Sequence, residues 1–190
     1  MGLTDAGARA YIALLVCLRG SICLYQGEEL GLPEAEIAFE DLQDPYGIEF
    51  WPEFKGRDGC RTPMVWDASE VNAGFSTGEP WLPVKAPQAI RAVATQEAQN
   101  DSVLSSYRSA LAFRKSRKEL RLGTTTFPKT PDPILAVNRA YEGQSLTGIF
   151  NLSNTDQTIV VHPEATITGP QNASLTKGTL TLPPYGYAYL

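Results

Sequence analysis

The sequence predicts a composite fold, α/β up to about residue 120 and all-β from there to residue 190. Three observations carry this. Thr4 to Leu18 repeats apolar side chains at helical spacing and runs, across Gly20, into the apolar stretch Ile22-Cys23-Leu24-Tyr25. A buried helix followed at once by a buried strand is half of an α/β repeat. That stretch breaks at Gly27 into Glu28 and Glu29, and α/β proteins place their sites just past the carboxyl ends of buried strands. From Arg121 onward, short β-branched and aromatic runs alternate with turn signals, the pattern of an antiparallel β domain.

In chain order, Thr4 or Asp5 caps the first helix. Ala8, Tyr11, Ile12, Leu15 and Leu18 form its stripe, and Leu14, Val16 and Cys17 make it apolar nearly all round. Gly20 is expected to end it as a C-terminal glycine. Residues 33–84 hold no sustained period but carry Trp51, Phe54, Trp66, Phe75 and Trp81 among Gly, Pro and Asp. An aperiodic run of that length is a functional loop or disordered, and three tryptophans argue against disorder. Flat rings among carboxylates and arginines suit a sugar site, although any one ring can equally serve as a loop anchor. Residues 87–98 suggest a helical turn. Asn100 or Asp101 then caps a helix to about Lys118, with Val103, Leu104, Tyr107, Ala110 and Leu111 inside. Arg114, Lys115, Arg117 and Lys118 fall at its C-terminal end, where the helix dipole favours cations, and read as a solvated end rather than an anion site. Strands are expected over Ile134–Tyr141, Ser145–Leu152, Thr158–His162, Thr179–Leu182 and Tyr185–Leu190. Turns are expected at Glu142-Gly143, Asn154 to Asp156, Gly169-Pro170 and Pro183-Pro184.

Composition narrows the function. A net charge of −5 speaks against a nucleic-acid or anionic-membrane surface, and no apolar run reaches the ~20 residues of a membrane span. Three cysteines, Cys17, Cys23 and Cys60, have no metal-ligand spacing and point to a reducing cytoplasm. One histidine, His162, gives no support to a His-based metal site or a Ser-His triad. No cofactor is expected. Asn151 and Asn172 match the glycosylation pattern, which has no meaning without secretion.

The strings Tyr25-Gln26-Gly27-Glu28-Glu29-Leu30-Gly31, Gly56-Arg57-Asp58-Gly59-Cys60-Arg61-Thr62-Pro63-Met64-Val65-Trp66-Asp67 and Asn72-Ala73-Gly74-Phe75-Ser76-Thr77-Gly78-Glu79-Pro80-Trp81 follow in that order. Together they resemble the C-terminal part of the α-glucosidases of the α-amylase family, the oligo-1,6-glucosidase type. Ile22 departs from the pattern, since many relatives carry proline there. The resemblance implies the end of a (β/α)8 TIM barrel over residues 1–119 and a small antiparallel β-sandwich domain over 120–190. Ser21–Tyr25 would be the eighth strand and 33–84 the loop after it. A full barrel takes ~250 residues, so this chain is expected to be part of something larger.

The resemblance also implies retaining hydrolysis of α-glucosidic bonds in short oligosaccharides. That chemistry needs a nucleophile and an acid/base about 5 Å apart. In the family these carboxylates come from earlier strands, upstream of Met1. Adjacent Glu28 and Glu29, if extended, face opposite ways and cannot straddle one bond. No catalytic residue is therefore assigned in this chain. Arg57 matches the position that reaches the non-reducing-end glucose, where a guanidinium's fixed donors suit vicinal hydroxyls. Asp58 is expected to orient Arg57, and Glu28 or Glu29 to pair with it or line the pocket mouth. Tyr25 and Gln26 stand behind them. Arg61 is expected to brace the loop by a buried ion pair, and Phe39 and Trp51 to stack on a further sugar. Other readings are a sucrose isomerase or trehalose synthase of the same family, and a non-catalytic sugar-binding module. The expected partners are an α-linked oligosaccharide and either the missing barrel part or a second copy.

Overall fold

The computed structural model describes residues 4–190. The fold divides into two compact units, Leu24–Ser105 and Thr4–Cys23 with Ser106–Leu190.

The second unit holds the regular structure. Helix α1 (Asp5–Cys17) starts where predicted: Thr4 Oγ1 accepts the Gly7 N–H at 3.1 Å. Its end differs from expectation. Leu18 turns extended at φ −72°, ψ 155°, and Gly20, at φ 112°, lies beyond the last turn. Two arginines from far along the chain take over the role assigned to glycine. Arg114 donates to the carbonyls of Val16, Leu18 and Gly20, and Arg139 to that of Cys17 at 2.8 Å. Cations at a helix C-terminus meet the negative end of its dipole, and α1 has no basic residue of its own in the last turn. Arg114 is thus a cap for α1 rather than part of a solvated end. Its own helix α5 (Val103–Ser116) is followed by the short α6 (Lys118–Leu122). The Ser105 N–H is capped by Ser102 Oγ at 3.1 Å. Val103, Leu104, Tyr107 and Ala110 are buried as expected, whereas Leu111 is 37% exposed.

Eight strands follow: β1 (Thr124–Thr126), β2 (Ile134–Tyr141), β3 (Gln144–Asn151), β4 (Gln157–Val160), β5 (Thr168–Asn172), β6 (Ser174–Thr176), β7 (Thr179–Leu182) and β8 (Tyr187–Tyr189). They form two antiparallel sheets, β1-β2-β3-β8-β5 and β4-β7-β6. The β2–β3 hairpin turns at Glu142 (φ 48°) and Gly143 (φ 80°), both left-handed as a tight primed turn requires. Ile134, Ala136, Ile149, Leu180, Leu182 and Ala188 fill the space between the sheets. The opposite face of the large sheet, with Val137, Phe150 and Tyr189, is also buried, and α1 and α6 pack on it. Burial on both faces explains why the end of β3 from Gly148 to Asn151 and all of β8 are buried at successive residues rather than at alternate ones.

Gly169-Pro170 corrects the prediction of a turn: both lie within β5, an edge strand whose pairing to β8 shifts register between Thr168 and Asn172. At Gly169 (φ 68°) a Cβ would fall 2.3 Å from the Phe113 ring, so only glycine fits this bulge. Asn151 is fully buried and is no glycosylation site. Its amide donates to Thr155 and Pro183 carbonyls at 2.7 and 2.8 Å and its Oδ1 accepts from Ser153.

The first unit is mostly loop, as its composition predicts. Its elements are α2 (Pro45–Glu49), α3 (Ala86–Ala89), α4 (Val93–Glu97) and four 3-10 turns. Leu30, Met64, Val65, Ala73, Ala92 and Leu104 make one core, and Ile37, Leu42 and Leu82 a smaller one. Two buried glutamines tie the loops together. Gln96 donates to Leu30 O at 2.8 Å and accepts from Leu104 N, and Gln88 donates to Pro33 O and accepts from Thr62 Oγ1. Asn72, Ala73 and Gly74 are consecutively left-handed, at φ 49°, 52° and 73°. That curl turns the Ala73 carbonyl to accept both Trp66 and Asp67 N–H groups, at 2.8 and 3.0 Å.

Residues 21–25, expected as a strand, have no ladder among the described residues. Their burial alternates, with Ile22 and Leu24 half-buried between exposed Ser21, Cys23 and Tyr25. A parallel strand needs flanking strands to take its backbone groups, and this chain folds its own strands elsewhere.

Candidate functional site

The apolar segment ends in a tight left-handed turn. Gly27 (φ 91°) opens a 3-10 turn over Glu28–Leu30 that Gly31 (φ 61°) closes. The backbone is thus curled rather than extended, and the two carboxylates separate for a different reason from the one predicted. Glu29 folds back to accept the Gly27 N–H at 2.8 Å. Glu28 faces a groove of about 240 Å³, lined also by Tyr25, Gln26, Glu34, Cys60 and Gln88. Its Oε2 is buried and has no hydrogen-bond partner among the described residues. Gln26 is held by Thr62, whose carbonyl accepts its amide at 3.2 Å, and Tyr25 stands exposed at the rim.

Two buried carboxylates organise the adjoining loop. Asp58, 1% exposed, accepts the N–H groups of Gln43 and Asp44 at 2.6 and 2.7 Å. Asp44 returns the contact: its Oδ2 accepts the Arg57 N–H at 2.9 Å and its Oδ1 the Tyr46 N–H at 3.0 Å. The Arg57 amide, aided by the Tyr46 and Gly47 amides and the Arg61 charge, holds the Asp44 carboxyl below the usual carboxylate range. Asp58 therefore serves the loop and makes no ion pair with Arg57. Arg57 is exposed, and no carboxylate pairs with its guanidinium among the described residues. Neither Glu28 nor Glu29 reaches it. Arg61 lies 3.3 Å from Asp44 and 3.9 Å from Asp58, but the pair is buried only on the carboxylate side, because the Arg61 side chain is half exposed. The sequence reading missed Asp44, although Asp-Pro at a helix start is a capping signal.

Phe39 and Trp51 do meet, rings 5.6 Å apart and tilted 56°. A second groove of about 580 Å³, lined by Glu40, Asp41, Asn72, Glu79 and Trp81, lies in the same unit. Chemically, then, the described residues of this unit offer the Arg57 guanidinium, an unsatisfied Glu28 oxygen and exposed rings.

The family profile Alpha-amylase, described as "Alpha amylase, catalytic domain", matches residues 3–123. The chain belongs to the α-amylase family. It is 51% identical over 150 residues to a probable alpha-glucosidase of Rhizobium meliloti, covering 79% of this chain and 27% of that protein. It is 30% identical over 201 residues to a probable oligo-1,6-glucosidase 2 of Bacillus subtilis, covering 95% of this chain and 34% of that protein. Among solved structures it superposes on the alpha-glucosyl transfer enzyme XgtA with a TM-score of 0.87 at 46% identity, over 98% of this chain and 35% of that one. The trehalulose synthase MutB of Pseudomonas mesoacidophila shares the fold at TM-score 0.81 and 23% identity, over 97% of this chain and 38% of that one. The chain spans about a third of the length of the relatives it matches. No helix among the described residues is long and apolar enough to cross a membrane.

Proposed function

We propose that this chain supplies one wall of the sugar pocket of a retaining α-glucosidase acting on short α-linked oligosaccharides. The likeness at 51% identity to a probable alpha-glucosidase carries the reading. Arg57, exposed and without an ion-pair partner among the described residues, donates to hydroxyls of the terminal glucose. The orphaned Glu28 oxygen accepts a hydroxyl at the pocket mouth, because a buried acceptor left empty is costly. Asp58, Gln26, Tyr25 and Arg61 support these groups, and Glu29 holds the turn. The nucleophile and acid/base belong to the remaining barrel strands. A sequence-level boundary near residue 120 is supported by the end of the family match at residue 123. The free thiols of Cys17, Cys23 and Cys60 support a reducing cytoplasm.

The isolated chain is expected to release no product from an aryl α-glucoside. Combined with the other barrel strands, it is expected to give glucose with retained anomeric configuration. Turnover by the 190-residue chain alone would overturn the reading. A second reading, glucosyl transfer to an acceptor, is favoured by the likeness to XgtA. It predicts lengthened oligosaccharides beside free glucose when acceptor is in excess.

Unladdered residues 21–25 and exposed Tyr46, Phe50 and Trp81 further predict that the isolated chain self-associates or docks on the missing strands. Light scattering checks this, and a clean monomer would contradict it.

A further inference from the structure

We propose that Asp44 is a positioning residue for Arg57, fixing the backbone from which the guanidinium reaches the sugar. This rests on the reading of Arg57 as a sugar contact. Asp44 is only 7% exposed, and its carboxylate bonds to Tyr46, Arg57 and Arg61. Both of its oxygens are spent on one loop. Oδ2 takes the Arg57 amide at 2.9 Å and an Arg61 nitrogen at 3.3 Å, and Oδ1 takes the Tyr46 amide. Its own amide is clamped in return by Asp58 at 2.7 Å. The chain arrives at Arg57 through Gly56, left-handed at φ 72°, where a Cβ would lie 2.8 Å from the Asp44 Cβ. A side chain at 56 would push Arg57 off its anchor. The nearby contact of Gly47 on the Lys55 carbonyl closes the same loop from the other side, with a would-be Cβ at 2.7 Å. The loop thus has one backbone path to Arg57, and Asp44 is its peg. Among the described residues no carboxylate pairs with the guanidinium, so the anchoring by Asp44 acts on the main chain of Arg57 and not on its fork.

The test is a double-mutant cycle on the full chain assayed within its complete barrel, with an aryl α-glucoside as probe. Arg57→Ala and Asp44→Ala are each expected to raise KM roughly tenfold or more, with kcat changed by less than about threefold. In the Arg57→Ala background, Asp44→Ala should raise KM by less than about twofold, because the two residues act through one contact. Additive losses, or an Asp44→Ala enzyme with wild-type KM beside an impaired Arg57→Ala, overturn the proposal alone. An unaffected Arg57→Ala enzyme overturns the sugar-contact reading and takes the proposal with it. Should Asp44→Ala not fold, Asp44→Asn carries the same cycle, since an amide keeps one acceptor and cannot serve both backbone donors. Hydrogen exchange gives the independent readout. The Arg57 amide is expected to be protected in the wild type and to lose protection in Asp44→Ala. Asp44→Asn should release either the Arg57 or the Tyr46 amide. Protection unchanged at both amides would also overturn the proposal.

Discussion

Arg139→Ala is expected to cost the β domain on the order of 4 kcal/mol, the sum of lost charge-assisted hydrogen bonds and the cavity left behind. Arg139 is 0% exposed in the middle of β2, and no carboxylate among the described residues lies within hydrogen-bond reach of it. Carbonyl oxygens take the charge instead: Cys17 at 2.8 Å, Gly123 at 2.8 Å and Thr124 at 3.2 Å. Burial pulls the guanidinium below its ordinary value, yet a guanidinium stays charged in proteins. One of the three closes the C-terminal turn of α1 and two fix the connection from α6 to β1, so a single side chain pins three segments. Arg139→Met keeps the apolar stem but strands the same carbonyls, and should recover only part of the loss. Arg139→Lys should also fall short, because an ammonium cannot reproduce the planar fork. Urea unfolding followed by far-UV circular dichroism measures the effect, and a loss under about 1 kcal/mol for Arg139→Ala would show that water reaches these carbonyls.

The second large effect is a loss of stability in alkali. Burial pushes the Cys17 thiol from 9.0 up to about 11, and burial raises Tyr189 well above its ordinary value and Tyr187 in the same direction. The folded state holds these groups neutral beyond the pH at which the unfolded chain ionises them. Their contribution is therefore whole below about pH 9 and disappears as pH climbs to about 11 and beyond. For Cys17 alone, two pH units correspond to on the order of 3 kcal/mol. Tyr189 adds to this, since its hydroxyl donates to the Ala13 carbonyl at 2.6 Å and deprotonation removes that donor. Denaturant midpoints should be level from pH 7 to 8.5 and fall steeply above 9.5. Cys17→Ala should flatten part of the fall, although it lowers stability at neutral pH. An alkaline slope unchanged by that substitution would assign the loss elsewhere.

The β domain was largely legible because its strands are apolar runs cut by Gly, Pro and Asn punctuation, and the β2–β3 hairpin lies where Glu142-Gly143 places it. What stayed hidden depends on partners distant in sequence. Thr168 to Asn172 has the composition of a turn, and only its neighbour Tyr189 and the Phe113 ring make it a bulged strand. Arg139 and Arg114 look like surface cations until the carbonyls at residues 16–20 are brought to them. At the site, Arg57 and Arg61 announced themselves through their motif. The Asp44–Asp58 clasp did not, because a capping Asp-Pro gives no hint of what else the carboxylate holds. Glu28 and Glu29 look equivalent on paper, and only the left-handed Gly27 decides which folds back and which faces the groove.

Helix α1 shares a hydrophobic layer with strands that begin more than a hundred residues later, and Tyr189 is bonded to its middle. Exchanging residues 120–190 alone between homologous chains would graft half a layer onto a foreign helix. A chimera meant to keep its parents' stability should transplant residues 4–23 together with 106–190, even though the two pieces are separated in the gene by the loop that lines the grooves.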